Sequence, residues 1–154
     1  MTSMMLFTDG SVHPPTRVGY GAYLTLTDIN NPGDIHTRRF ENTSSSQLEI
    51  ETLIWAFQTL QPKAVTVCTD SQMIMGLPGR RARFEERNYQ TQQNHPVRHA
   101  DLYRQFFHFT DSIDCTFVKV KGHRRSHQKT DIDRLFSLVD RASRRALRLE
   151  THCA

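Results

Sequence analysis

Two short apolar runs, Met4–Thr8 and Ala64–Thr69, are each followed at once by an acid, giving Thr8-Asp9 and Thr69-Asp70. Both are strand-like in composition and too short for helices. Between them lies Gln47–Leu60, where Leu48, Ile54, Trp55, Phe57 and Leu60 supply an apolar helical surface. Strand, helix and strand in this order make the helix a natural crossover, which should be right-handed. If the two strands are parallel neighbours, their acids meet at one edge of a sheet, the place where ligands bind in open α/β folds.

The rest of the chain supplies the sheet's other strands and its cover. Asp9-Gly10-Ser11 reads as a turn ending the first strand, and His13-Pro14-Pro15 as loop. Val18–Thr27 alternates, with Tyr20, Ala22, Leu24 and Leu26 on one face. A turn cluster, Asn30-Asn31-Pro32-Gly33-Asp34, leads into a polar return strand, Ile35–Glu41. Ser46 and Glu49 fit a capping box at the start of the crossover helix. A short helix over Ser71–Gly76 precedes an extended connection, Leu77–Pro96, and a helix over Val97–Thr110. Cys115–Lys121 alternates as a last strand, Gly122–Arg125 is loop, and Thr130–Leu149 is a long basic helix. The order β-β-β-α-β-α-α-β-α implies an α/β fold with a mixed sheet packed by helices.

A length of 154 residues favours one compact domain over 1–154. There is no apolar run of about 18 residues, so no membrane-spanning helix is expected, and Met1–Ser11 does not read as a signal peptide. Cys68, Cys115 and Cys153 are odd in number and far apart, which fits a reducing, cytoplasmic setting. Charge is uneven: residues 1–114 hold 10 basic and 12 acidic side chains, residues 115–154 hold 10 and 4. That basic segment suits either a polyanionic partner, nucleic acid first, or a merely solvated helix.

Asp9 taken alone is a turn former, Asp70 a helix cap, Glu49 a capping-box partner and Asp140 an exposed helix charge. Together they make a different object. Clustered carboxylates repel one another at low dielectric, and hard divalent cations such as Mg²⁺ neutralise them.

The motifs Thr8-Asp9-Gly10-Ser11, Gly19-Tyr20-Gly21-Ala22, Gln47-Leu48-Glu49, Thr69-Asp70-Ser71-Gln72, Pro96-Val97-Arg98 with Asp101-Leu102, Val120-Lys121-Gly122-His123 and Val139-Asp140 occur in this order. On these the chain resembles type 1 ribonuclease H. The resemblance implies a five-stranded mixed sheet, its first three strands antiparallel and the others parallel. It implies hydrolysis of the RNA strand of RNA–DNA hybrids, leaving 5′-phosphate products. Asp9, Glu49, Asp70 and Asp140 would hold two Mg²⁺ ions, with Mn²⁺ able to replace them. His123, on a mobile loop, would assist proton transfer or product departure. Gly79–Val97, with Arg80, Arg81 and Arg83, would stand where the family's basic handle grips the DNA strand. Ser44, Ser45 and Ser46 would lie beside the minor groove, and Ser11 and Gln72 would also touch substrate.

Asp133 has the more usual distance from His123, but Asp140 has the better surroundings: Val139 before it and Ala142, Ala146 and Leu147 after it, where Asp133 meets bulky Phe136. Asp140 is therefore the expected fourth acid. A nuclease of other specificity on the same fold is opposed by Lys121-Gly122-His123 and the basic last helix. A non-catalytic binding module is opposed by the full set of acids. The expected enzyme is a monomer with no obligate protein partner and no membrane association.

Overall fold

The computed structural model describes residues 4–27, 32–120 and 130–152. Five strands, β1 (Met4–His13), β2 (Val18–Leu26), β3 (Ile35–Phe40), β4 (Ala64–Thr69) and β5 (Asp114–Lys119), form one sheet in the order β3-β2-β1-β4-β5. β1–β2 and β2–β3 are antiparallel, and β1–β4 and β4–β5 are parallel, as the family resemblance implied. The helices are α1 (Ser45–Leu60), α2 (Gln72–Glu86), α3 (Ala100–Ser112) and α4 (Asp131–His152).

Alternation along the strands builds two apolar layers. Leu6, Tyr23, Val65 and Val67 pack with Ile50, Leu53 and Phe57 of α1, Ile74 and Leu77 of α2, and Phe106 of α3. On the other face Phe7, Ala22, Leu24, Leu26 and Cys68 pack with Phe136 and Val139 of α4. Parity along β1 therefore sends Phe7, Asp9 and Ser11 to the α4 side, and Leu6, Thr8 and Gly10 to the α1 side.

Three expectations are corrected. β1 does not end in a turn at Asp9-Gly10-Ser11; it continues to His13, because residues 9–13 pair with β2 from Asp9↔Ala22 to His13↔Val18. α1 is capped by Ser44, whose hydroxyl accepts from the Gln47 N–H at 3.3 Å, so the Ser46–Glu49 capping box does not form and Glu49 is free to face elsewhere. α2 is no short helix followed by an extended connection: it runs through Gly76, Pro78 and Gly79 to Glu86. Buried Ile74, Leu77 and Phe84 hold it to the core, while a Cβ at Gly76 or Gly79 would point into open space. Packing thus overrides poor helix propensity.

The remaining differences are at boundaries. α3 starts three residues later than expected, after His99, which has a left-handed φ of 64°. β5 begins one residue earlier, and α4 extends to His152. Asn30 and Asn31 of the turn cluster, the Gly122–Arg125 loop with His123, and Cys153 lie outside the described residues.

α1 crosses the sheet close enough to require glycine. A Cβ on Gly21 would stand 2.1 Å from Thr52 Oγ1, and one on Gly10 would stand 2.7 Å from Leu48 Cδ2. Gly21→Ala is expected to lift α1 from β2 at a cost of about 1–3 kcal/mol, read as a lowered midpoint in denaturant. A midpoint equal to wild type would show that Thr52 rotates away freely.

Candidate active site

The parallel register Phe7↔Cys68 puts Asp9 and Asp70, each two residues further along, side by side. Asp9 lies within β1 on the α4 side. Asp70 follows β4 and is exposed. From one face of the sheet α1 brings Glu49, and from the other α4 brings Asp140, which shares a hydrogen bond with Asp9. Thr8, Asp9, Glu49, Thr52, Thr69 and Asp70 line one small pocket.

The electrostatics follow from burial. Removal from water, first, then the hydrogen bond to Asp140 and repulsion from Asp70, push the Asp9 carboxyl up to about 8. The protonated form of Asp9 is thereby favoured, and its carboxyl shares a hydrogen bond with the side chain of Asp140. Burial also raises Glu49, and Asp70 adds to this, while a hydroxyl offsets part of it: Ser71 Oγ donates to Glu49 Oε2 at 2.5 Å. Asp140 Oδ1 accepts from Arg144 Nε at 3.0 Å.

In this arrangement Glu49 turns to Ser71 and Asp140 to Arg144, and no three acids, histidines or cysteines among the described residues stand assembled as a metal shell. The donor set nevertheless suits a hard divalent ion: it is all oxygen, partly desolvated and self-repelling. The hydroxyl of Thr52 in the same pocket is buried with no hydrogen-bond partner among the described residues.

Asp133 is placed otherwise. Its Oδ2 accepts from the Thr130 N–H at 3.0 Å, and its own N–H donates to Thr130 Oγ1 at 3.3 Å. This is a reciprocal cap at the start of α4.

The expected grip residues divide. Ser45 and Ser46 are exposed in the first turn of α1, while Ser44 is its cap. Ser11 Oγ meets Ser143 Oγ at 3.2 Å, tying β1 to α4, and Gln72 accepts from Lys119. Arg80, Arg81 and Arg83 lie on α2. Arg80 sits 5.0 Å over the Phe84 ring. Arg81 grips both oxygens of Asp111 on α3 and pairs with Glu85 at 2.7 Å. Arg83 is exposed.

The sequence profile of RNase H matches residues 1–140. The chain belongs to the ribonuclease H family. It is 31% identical over 121 residues to the Ribonuclease H of Erwinia tasmaniensis, covering 77% of this chain and 76% of the relative. It is 30% identical over 130 residues to the Ribonuclease HI of Vibrio parahaemolyticus, covering 82% of each. The solution structure of the PFV RNase H domain superposes with a TM-score of 0.74 at 16% identity, covering 93% of each chain. A foamy viral protease-reverse transcriptase solved in complex with an RNA/DNA hybrid superposes with a TM-score of 0.72 at 12% identity, over 94% of this chain and 20% of that one.

As a ribonuclease H, the chain has a further residue at the site, Ser71, to which its motifs assign no role. Ser71 is 5% exposed and does two things: it caps α2 by accepting from the Ile74 N–H at 3.1 Å, and it holds Glu49. The cap was readable as a serine ahead of a helical run, although Asp70 was the candidate considered. The bond to Glu49 exists only once α1 and β4 are packed together.

Proposed function

We propose that this ribonuclease H hydrolyses the RNA strand of RNA–DNA hybrids with the help of two divalent metal ions, leaving a 5′-phosphate and a 3′-hydroxyl. The observation that carries the reading is the convergence of Asp9, Glu49, Asp70 and Asp140 from four separate elements on one sheet edge, with burial holding Asp9 up to about 8. The hybrid in the complex of the reverse transcriptase that shares this fold supports the choice of substrate.

Asp9, Glu49, Asp70 and Asp140 would hold Mg²⁺, or Mn²⁺ in its place. Bound there, such ions would supply an activated water and stabilisation of the leaving oxygen of a phosphodiester. Asp9 would have to give up its proton to take part, which would end the hydrogen bond it shares with Asp140. Ser71 steadies Glu49 from behind, and Arg144 steadies Asp140. His123 would assist proton transfer or product departure. Exposed Ser45 and Ser46, beside Glu49 at the start of α1, would face the minor groove, where the 2′-hydroxyl distinguishes RNA.

No helix among the described residues is long and apolar enough to cross a membrane. We place the enzyme in the cytoplasm, acting as a monomer and as one domain.

The test incubates the protein with labelled RNA–DNA hybrid, duplex RNA, duplex DNA and single strands, with Mg²⁺ or EDTA. Cleavage confined to the RNA of the hybrid and lost in EDTA is expected. Undiminished cleavage in EDTA overturns the metal role, and equal cutting of duplex DNA overturns the specificity.

α2 is proposed as the DNA-strand grip, and its arginines divide in a testable way. Arg80→Gln with Arg83→Gln should flatten the salt dependence of hybrid affinity by a log–log slope of up to about 2. Arg81→Gln should leave the slope alone and cost at most about 1 kcal/mol of stability, because its charge is already spent on Asp111 and Glu85. The reverse pattern would show that Arg81 releases Asp111 to take a phosphate.

A further inference from the structure

The outward face of α4 bears charge that the carboxylate site does not use. Arg141, Arg144, Arg145 and Arg148 are exposed, and with Leu138 and Ala142 they frame a shallow concavity of about 600 Å³. Arg144 reaches back to Asp140, but Arg141, Arg145 and Arg148 make no ion pair among the described residues. The next acid along the helix, Glu150, is occupied: it accepts from Tyr20 Oη at 2.8 Å and from Arg39. Buried Phe136, Val139 and Ser143 turn the opposite side of α4 into the sheet. The stripe therefore looks outward from the sheet face opposite α1 and α2, away from Arg80 and Arg83.

Three uncompensated guanidiniums repel one another and gain when an anion lies across them. From Arg141 to Arg148 the helix advances about 10 Å, roughly three base steps along one nucleic-acid strand. Arg forks match phosphate oxygens in geometry as well as charge. A second copy of the same face would bring like charges together. The exposed leucines, Leu138 and Leu149, stand about three turns apart and form no continuous apolar strip for a lipid surface.

We infer that the Arg141–Arg145–Arg148 face is a second contact for the phosphodiester backbone of a duplex, taking the arm of nucleic acid that leaves the carboxylate site past Arg144. The link to the carboxylates rests on the hybrid-cleaving reading; the backbone contact itself does not.

The test compares the full chain with R141Q/R145Q/R148Q and with R141K/R145K/R148K. Fluorescence anisotropy with labelled duplex DNA in EDTA reads affinity against salt concentration. The Gln variant should bind at least tenfold more weakly at low salt, with a log–log slope flatter by up to about 3, while the Lys variant keeps most of both. In Mg²⁺, the Gln variant should raise KM for a long hybrid but not for a hybrid of about 8 base pairs, with kcat unchanged; circular dichroism checks that it is folded. Equal slopes for wild type and the Gln variant overturn the proposal. So does wild-type self-association in sedimentation that the Gln variant abolishes, since the face would then join copies. If neither protein cleaves hybrid yet the slopes differ, the cleavage reading falls and the backbone contact stands.

Discussion

Asp9→Asn is expected to abolish hybrid cleavage, by about 10³-fold or more, while leaving the metal-free protein as stable as wild type or more so. An ion lost from such a site removes several kcal/mol of transition-state stabilisation, and each 1.36 kcal/mol is a factor of ten. The stability half comes from the proton. A carboxyl near 3.9 in the unfolded chain is pushed up to about 8 in the fold by burial, by Asp140 and by Asp70. Between those values the folded state holds a proton that the unfolded state has lost. The contribution is therefore fully present below pH about 4 and is lost as pH rises toward about 8, by up to about 1.4 kcal/mol per unit. Wild type in EDTA should melt at falling temperature across that window. Asparagine carries no such proton, so the variant's profile should be flatter. Melting far below wild type at every pH would make Asp9 a structural residue.

Asp140→Asn is expected to cost about 10²-fold or more in Mg²⁺-dependent turnover, while Asp133→Ala leaves turnover near wild type. The two acids lie seven residues apart on α4 but have different partners. Asp140 meets Asp9 and Arg144, whereas Asp133 closes the cap with Thr130. Loss of that cap should cost about 1 kcal/mol, a fall of about 2–4 °C in a chain of this size. Turnover in Mg²⁺ and melting in EDTA, measured on both variants, separate the roles. If Asp133→Ala loses turnover and Asp140→Asn keeps it, α4 is read two turns out of place.

The element order was legible because most strands and helices carry their period in a short window, while the directions of the five strands came from the family resemblance. Thr8-Asp9 and Thr69-Asp70, on either side of an apolar helix, were enough to bring two acids together. What the sequence hid depends on partners distant in the chain. Gly10 reads as a turn until β2 is paired to it and Leu48 lies over it. Gly76, Pro78 and Gly79 read as a break until Ile74, Leu77 and Phe84 are seen anchored in the core. Ser46 and Glu49 fit a cap in sequence, but Ser44 takes it, and Glu49 goes to Ser71. The pairing of Asp133 with Thr130 was within reach as a four-residue T-x-x-D pattern, but the spacing of Asp133 from His123 also suits a metal ligand and competes with that reading.

Glu49 and Asp140 reach the β1–β4 edge from opposite faces of the sheet, and α4 comes last in the chain. In a ribosome-bound chain that has emerged only through β5, Asp9 still lacks Asp140. The sheet face around Phe7, Leu24 and Cys68 is also without its α4 cover at that stage. The site and the second layer are thus completed by one event, the docking of Asp131–His152. Order of synthesis therefore delivers the fourth acid and the cover of the second apolar face together, on the last helix described.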